Sequence, residues 1–202
     1  MTDTRFVKNA RRVGQDDASR ATVLVAIAGV SEPATVHVFD TEESFRSWAS
    51  ASPANGPVLR LDDEVARART ERPVDARVKE LSDQAVAGLY DLAERHGLQP
   101  VEDELLRRAT LEPPVRFEAL MVLFDAYGLS GGWRPVTGTV PVLDWVGFAA
   151  RTSSVWIAGA GVLSEHPWFA GRRLYLVGAP FSRFDDLREL GFDNRASAAA
   201  VL

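Results

Sequence analysis

Two stretches of the sequence that start 44 residues apart decide the fold class: Gly147-Phe148-Ala149-Ala150-Arg151-Thr152-Ser153 and Gly191-Phe192-Asp193-Asn194-Arg195-Ala196-Ser197. Both begin with glycine and phenylalanine, and both carry arginine fifth and serine seventh. Upstream, after a four-residue difference in length, residues 123–131 align with residues 163–171. A unit of four short strands cannot bury its apolar face alone, so we expect the two copies to pack together as a β-sandwich.

The repeated region begins after Glu112-Pro113-Pro114, the strongest boundary in the chain, because neither proline can continue a helix. Four of the five tryptophans follow this boundary, and short alternating runs replace the helical periodicity. We therefore predict two domains, at 1–112 and 115–202, with the repeats of the second at about 117–157 and 161–202.

The first domain has a mixed α and β pattern. Short β-branched runs bounded by glycine and proline predict a strand hairpin at about 21–39. Asp40 and Glu43 have the spacing of a capping box before a helix at about 41–50. Apolar residues recur at three- and four-residue steps and predict a helix at about 73–96. Another helix is predicted at about 101–109, where acidic residues come first and arginines last, an order that complements the helix dipole.

Composition excludes several classes of protein. The 202 residues include no cysteine, which rules out disulfides, thiolate zinc sites and cysteine nucleophiles. The net charge of -5 argues against a nucleic-acid partner, which selects a basic surface. The longest apolar run, residues 23–30, is too short to span a membrane. No signal peptide is visible at the start, so we expect a cytoplasmic protein without a membrane partner.

The repeated region resembles the βγ-crystallin family of the microbial type, whose domain consists of two Greek-key motifs. Each motif of that family has an aromatic residue, a second aromatic five positions on, a glycine two further on, and an Asp/Asn pair before a serine or threonine. The second repeat matches this pattern closely, except that Ser164 replaces the first aromatic. In the first repeat Leu129 replaces the later one. Gly131 and Gly171 hold the glycine position, where we expect a backbone conformation that other residues resist.

The resemblance implies an α+β N-terminal region followed by an all-β Greek-key sandwich of βγ-crystallin type, and it implies calcium binding. In the family, the Asp/Asn pair of one motif meets the serine of the other. Carried over, Asp193 and Asn194 join Ser153 in one Ca²⁺ site. Glu165 and Asp125 follow the first-aromatic positions, where family members contribute a backbone carbonyl, and we include Glu165 among the predicted metal ligands. Oxygen ligands of this kind suit a hard cation.

The reciprocal site looks lost, because it would combine Ser197 with Ala149 and Ala150, whose methyl groups cannot coordinate a cation. With a single carboxylate, the remaining site is expected to be weak, with a dissociation constant of about 10⁻⁵ to 10⁻³ M. A metal-free domain is the open alternative, because an Asp-Asn pair after a strand is also what a turn uses.

The sequence contains none of the common catalytic motifs, so we interpret the chain as a non-enzymatic βγ-crystallin-like protein with a structural or interaction role. The alternative is an inhibitor or toxin-neutralising protein that binds a partner protein through the hairpin tips, with 166–169 (His-Pro-Trp-Phe) as the wedge. Arg172 and Arg173 are a weaker candidate, as a basic patch for an anionic partner. An enzyme in the N-terminal region is the weakest hypothesis, because no spacing singles out its acids: Asp62, Asp63, Asp91 and Glu94.

Overall fold

The helices and strands were determined from a computed structural model, which describes residues 4–8, 11–28, 34–71, 120–178 and 182–202. In the N-terminal part the elements are β1 (Arg5–Lys8), β2 (Arg11–Arg12), α1 (Gln15–Ser19), β3 (Val23–Ile27), β4 (Thr35–Phe39), α2 (Glu42–Ser50) and α3 (Gly56–Glu71). In the C-terminal part they are β5 (Leu120–Ala126), β6 (Ser130–Val136), β7 (Thr139–Val140), β8 (Ser154–Ala158), β9 (Ala160–Ser164), β10 (Arg173–Val177), β11 (Ser182–Phe184) and β12 (Ala198–Val201). The predicted helices at 73–96 and 101–109 and the boundary at 113–114 lie outside the described residues.

The C-terminal strands form two interlocked Greek keys. The first repeat supplies β5 to β8 and the second supplies β9 to β12. One sheet has the order β11-β8-β5-β6, and the other contains the run β10-β9-β12-β7. Strand β7 of the first repeat pairs with β12 of the second, and β11 of the second repeat pairs with β8 of the first. Each sheet therefore contains strands from both repeats, so neither repeat is complete alone. This exchange confirms the predicted Greek-key sandwich.

The N-terminal strands extend one of these sheets. Strands β3 and β4 form an antiparallel hairpin with Val25 opposite His37, where the sequence predicts one. Strand β3 also pairs in parallel with β10, with Val25 opposite Tyr175. The result is a continuous eight-stranded sheet in the order β2-β1-β4-β3-β10-β9-β12-β7.

This sheet differs from the expected division into two domains at 1–112 and 115–202. The described residues from both sides of the predicted boundary belong to one compact unit. The physical reason is visible in β3, whose Val-Leu-Val-Ala-Ile run is apolar on both faces and is buried in the middle of the sheet. A strand of this kind needs a neighbour on each side and a layer on each face.

Helices α2 and α3 cover the outer face of the extended sheet. In α3 the apolar residues recur at three- and four-residue steps and pack on the sheet: Val58, Leu61, Val65 and Ala68. Their partners on the sheet include Val162, Tyr175, Ala198 and Ala200. A second apolar cluster fills the space between the two sheets. The described unit therefore has three layers, helices, sheet and sheet.

Helix α2 begins one residue later than the sequence predicts. Thr41, and not Asp40, is the N-cap, and its hydroxyl oxygen accepts a hydrogen bond from the backbone N–H of Ser44 at 3.2 Å. The residue is extended, with φ −131°, as a helix cap requires. Within the described ranges, no helix is long and apolar enough to cross a membrane.

Both repeat glycines adopt the expected backbone conformation. Gly131 has φ +80° and Gly171 has φ +73°. A Cβ atom on Gly131 would lie 2.3 Å from Oδ1 of Asp125, and Gly132 N–H donates to the same oxygen at 2.6 Å. The glycine is therefore required both for φ and for the close approach of this carboxylate.

Candidate metal site

Backbone hydrogen bonds between the repeats bring three of the predicted ligands together. The N–H of Asn194 donates to the carbonyl of Thr152 at 2.8 Å, and the N–H of Ser153 donates to the carbonyl of Phe124 at 2.7 Å. Asn194 has φ +53°, a left-handed conformation that asparagine tolerates better than most residues. Asp193 and Asn194 of the second repeat thus lie beside Ser153 of the first, as the repeat alignment predicts.

The side chains of these three residues are linked by two hydrogen bonds. The hydroxyl of Ser153, which is buried, donates to Oδ1 of Asn194 at 3.4 Å, and Nδ2 of Asn194 donates to Oδ2 of Asp193 at 3.3 Å. Oδ1 of Asp193 is buried and has no hydrogen-bond partner among the described residues. A buried carboxylate oxygen without a donor is costly unless a cation or water satisfies it. A carboxylate oxygen without a donor, beside a hydroxyl and an amide oxygen, is the type of ligand group that suits a hard cation.

Glu165, the fourth predicted ligand, has different neighbours. Its carboxylate accepts a hydrogen bond from Nη1 of Arg195 at 3.0 Å and lies 3.9 Å from Nη1 of Arg172. The preceding residue, Ser164, accepts a backbone hydrogen bond from Ser197 at 2.7 Å. The bond between Ser197 and Ser164 brings Glu165 close to the serine of the reciprocal site, and the role of its backbone carbonyl as a metal ligand stays a prediction.

The reciprocal position has the same backbone arrangement with different side chains. The N–H of Ala150 donates to the carbonyl of Ala196 at 2.8 Å, which matches the bond between Asn194 and Thr152. Ala150 also matches Asn194 in its positive φ, +51°. Because Ala149 and Ala150 carry only methyl groups, this position offers no side-chain oxygen in place of the Asp-Asn pair. Across the described residues, no three Asp, Glu or His side chains gather as a metal-binding cluster.

Sequence reasoning missed Tyr127, which contacts the candidate site. Its phenol donates a hydrogen bond to Oδ2 of Asp193 at 3.1 Å. The guanidinium of Arg188 lies 3.7 Å from the centre of its ring, and Asp186 holds that guanidinium through Nε and Nη2. Partial desolvation and the hydrogen bond to Asp193 raise the pKa of Tyr127. Nothing in the spacing of the repeat indicates that a residue of this turn reaches across to the other repeat.

A second cluster of charges lies under the helical layer. Asp62 of α3 is only 2% exposed. Its Oδ1 accepts hydrogen bonds from Nη1 of Arg173 at 2.7 Å and from the phenol of Tyr175 at 2.6 Å. Its Oδ2 accepts from Nε of Arg46 at 2.9 Å. Burial, more than any other cause, raises the pKa of Tyr175 far above its usual value. This cluster joins α2 and α3 to strand β10.

The predicted basic patch at Arg172 and Arg173 is wrong, because both side chains are buried. Arg173 takes part in the cluster with Asp62, and its Nη2 lies 2.8 Å from Glu42 without hydrogen-bond alignment. Arg172 donates to the backbone carbonyls of Gly191 and Ala18, each at 2.8 Å. These arginines satisfy internal acceptors and do not present a charged surface.

The predicted aromatic wedge at 166–169 is only partly accessible. Phe169 is fully buried, and its carbonyl accepts hydrogen bonds from Nε and Nη2 of Arg69 on α3. Trp168 is half-buried, and its ring meets that of Trp145 edge to face at 5.7 Å. Phe184 of β11 is also buried. The exposed aromatic of this region is Trp145, at 50%.

Comparison with known proteins finds similarity among solved structures. No protein-family model matches the chain, and no curated protein is similar to it. Among solved structures, a βγ-crystallin from Ciona intestinalis is 20% identical, with a TM-score of 0.38, over 41% of this chain and 99% of that one. An archaeal βγ-crystallin is 17% identical, with a TM-score of 0.37, over 42% and 98%. The IPSE/alpha-1 protein from Schistosoma mansoni eggs, described as an IgE-binding crystallin, is 20% identical, with a TM-score of 0.34, over 41% and 84%.

The exchange of third strands between two Greek keys defines the class of protein to which residues 120–202 are similar. The strands of this part of the chain have the two-Greek-key arrangement of a βγ-crystallin domain, as the repeats predict. The N-terminal part, residues 4–71, adds strands to one of its sheets and helices to that sheet's outer face.

Proposed function

We propose that this chain is a non-enzymatic βγ-crystallin-like protein with a structural or interaction role, and that it binds one Ca²⁺ weakly through Asp193, Asn194 and Ser153. The observation that carries the proposal is the buried Oδ1 of Asp193, which lacks a partner among the described residues. The oxygens of Ser153 and Asn194 in the same group supply further ligands of the type that calcium prefers.

A calcium ion at this site would neutralise the Asp193 carboxylate and link the two repeats. Ser153 comes from the first repeat and the Asp193–Asn194 pair from the second, so both repeats must be folded to offer the complete group. A ligand that binds only the folded state stabilises it in proportion to the logarithm of its concentration over the dissociation constant. This chemistry supports a structural role and involves no catalytic step. A cytoplasmic location remains a prediction.

The proposal is tested by calorimetric titration of the full chain with CaCl₂. We expect a single weak site in the unmodified protein and no heat of binding in Asp193→Ala. The matched control is Asp144→Ala, which removes an exposed carboxylate outside the site and should leave the isotherm unchanged. The proposal is wrong if the unmodified chain gives no heat, or if Asp193→Ala binds calcium as the unmodified chain does.

The second candidate function is binding of a partner protein through the tips of the sandwich, as an inhibitor or neutralising protein would. The exposed ring of Trp145, packed on Trp168, is the observation that favours it, because large exposed aromatics are common interface anchors. A pull-down from native cytoplasm, with and without EGTA, tests this candidate, and a protein retained by the unmodified chain but not by Trp145→Ala would support it.

A further inference from the structure

The turn that carries Tyr127 is fixed to the second repeat by several contacts. The N–H of Gly128 donates to the carbonyl of Asp185 at 2.8 Å. The Tyr127 ring lies under the guanidinium of Arg188 at 3.7 Å, a distance typical of a close cation–π contact. Asp186 holds that guanidinium over the ring with hydrogen bonds of 2.6 to 3.0 Å.

The donors around Asp193 are distributed unequally between its two oxygens. Oδ2 accepts hydrogen bonds from the phenol of Tyr127 at 3.1 Å and from Nδ2 of Asn194 at 3.3 Å. Oδ1 is buried and accepts none from the described residues. Two donors on one oxygen orient the carboxylate, and the other oxygen is left without a donor among the described residues.

We infer that Tyr127 is a positioning residue for the calcium site, because its phenol holds Oδ2 of Asp193 and thereby presents Oδ1 as the ligand. The inference rests on the proposed function. Donors that hold the second oxygen of a ligating carboxylate contribute about 10- to 100-fold to metal affinity in well-studied sites. The phenol would compete with the cation only if the cation bound Oδ2. We expect the cation to bind Oδ1 instead, because Oδ1 has no donor among the described residues.

The test is the calcium affinity of Tyr127→Phe in the full chain, measured by calorimetry. The substitution removes only the hydroxyl and keeps the ring that Arg188 covers. We expect calcium to bind about tenfold more weakly than to the unmodified chain. Trp145→Phe is the matched control, since it alters an exposed aromatic outside the site, and its affinity should be unchanged. Thermal unfolding without calcium verifies that both variants are folded.

A spectroscopic readout separates positioning from a general effect on the fold. In protein labelled with ¹³C at the phenolic carbon of tyrosine, the resonance that disappears in Tyr127→Phe belongs to Tyr127. We expect this resonance to shift during calcium titration with the same midpoint as the heat. Equal or tighter binding by Tyr127→Phe, or a resonance that does not respond, overturns the inference while leaving the calcium site standing. If the unmodified chain binds no calcium, the site itself is refuted, and the inference with it.

Discussion

The substitution Asp62→Ala should destabilise the protein by removing the acceptor at the centre of the buried charge cluster. Asp62 is 2% exposed and Arg173 is 1% exposed, so the arginine would lose its closest counter-charge in a place that water hardly reaches. Breaking such a pair typically costs 3 to about 5 kcal/mol. Because Glu42 still lies 2.8 Å from Nη2 of Arg173, we expect the lower end, about 3 kcal/mol. For a protein of this size that loss lowers Tm by about 6 to 12 °C.

Urea unfolding at pH 7, followed by tryptophan fluorescence, measures this loss as a change in the free energy of unfolding. The matched control is Asp63→Ala, the next residue of α3, whose side chain is exposed; it should change stability by less than about 0.5 kcal/mol. The double variant Asp62→Ala with Arg173→Met removes the isolated charge, so it should recover a large part of the loss. A loss below about 1 kcal/mol for Asp62→Ala, or no recovery in the double variant, would refute this account of the cluster.

Two further predictions concern packing and pH. Gly161→Ala would place a Cβ 2.7 Å from Cδ1 of Ile157 and 3.1 Å from the sulfur of Met121, so it should cost about 1 to 3 kcal/mol in urea unfolding, whereas Gly14→Ala, with nothing within 4 Å, should be nearly neutral. Burial lowers the pKa of His37 below its ordinary value of 6.5, so the unfolded chain binds the proton more readily. The stability that His37 contributes is complete above about pH 6.5 and is lost as the pH falls below it. Melting curves between pH 7.5 and 5 should show a smaller loss in His37→Gln, and equal curves for both proteins would contradict the assignment.

The sandwich could be predicted because both repeats carry the same residues at positions where the backbone geometry requires them. Gly131 and Gly171 sit at corresponding places in the two repeats, and both have the positive φ that glycine adopts without strain. The regular spacing of turns and aromatics predicts how many strands each repeat has, and two open motifs can bury their faces only against each other.

The joining of the N-terminal strands to the crystallin-like sheet was not predictable from periodicity. Strand β3 pairs with β10 in parallel, across roughly 150 residues of sequence, and a strand's pattern does not identify so distant a neighbour. One signal was present in β12, where Ala198-Ala199-Ala200-Val201 contains no polar residue. A strand without alternation is buried on both faces, so a third layer had to cover it.

For the site, alignment of the repeats predicted residues that backbone hydrogen bonds bring together, and it did not predict a neighbour that is placed by side-chain contacts. Asp193, Asn194 and Ser153 come together because equivalent loops of the repeats bond to each other. Tyr127 reaches Asp193 through a turn whose orientation depends on other side chains, among them Arg188. Such contacts depend on rotamers and neighbours that the spacing of a motif does not specify.

The apolar outer face of the crystallin-like sheet shows that the N-terminal strands and helices are part of its folded unit. In a free two-sheet sandwich the outer face of each sheet meets water and carries polar residues. Here Val162, Tyr175, Ala198 and Ala200 lie under α2 and α3, and Arg173 on the same sheet has its counter-charge, Asp62, on α3. Without residues 4–71 the sheet would expose this apolar surface to water, and Arg173 would lose its counter-charge Asp62. The folded unit that contains the proposed calcium site therefore includes the N-terminal strands and helices, and tests of that proposal belong on the full chain.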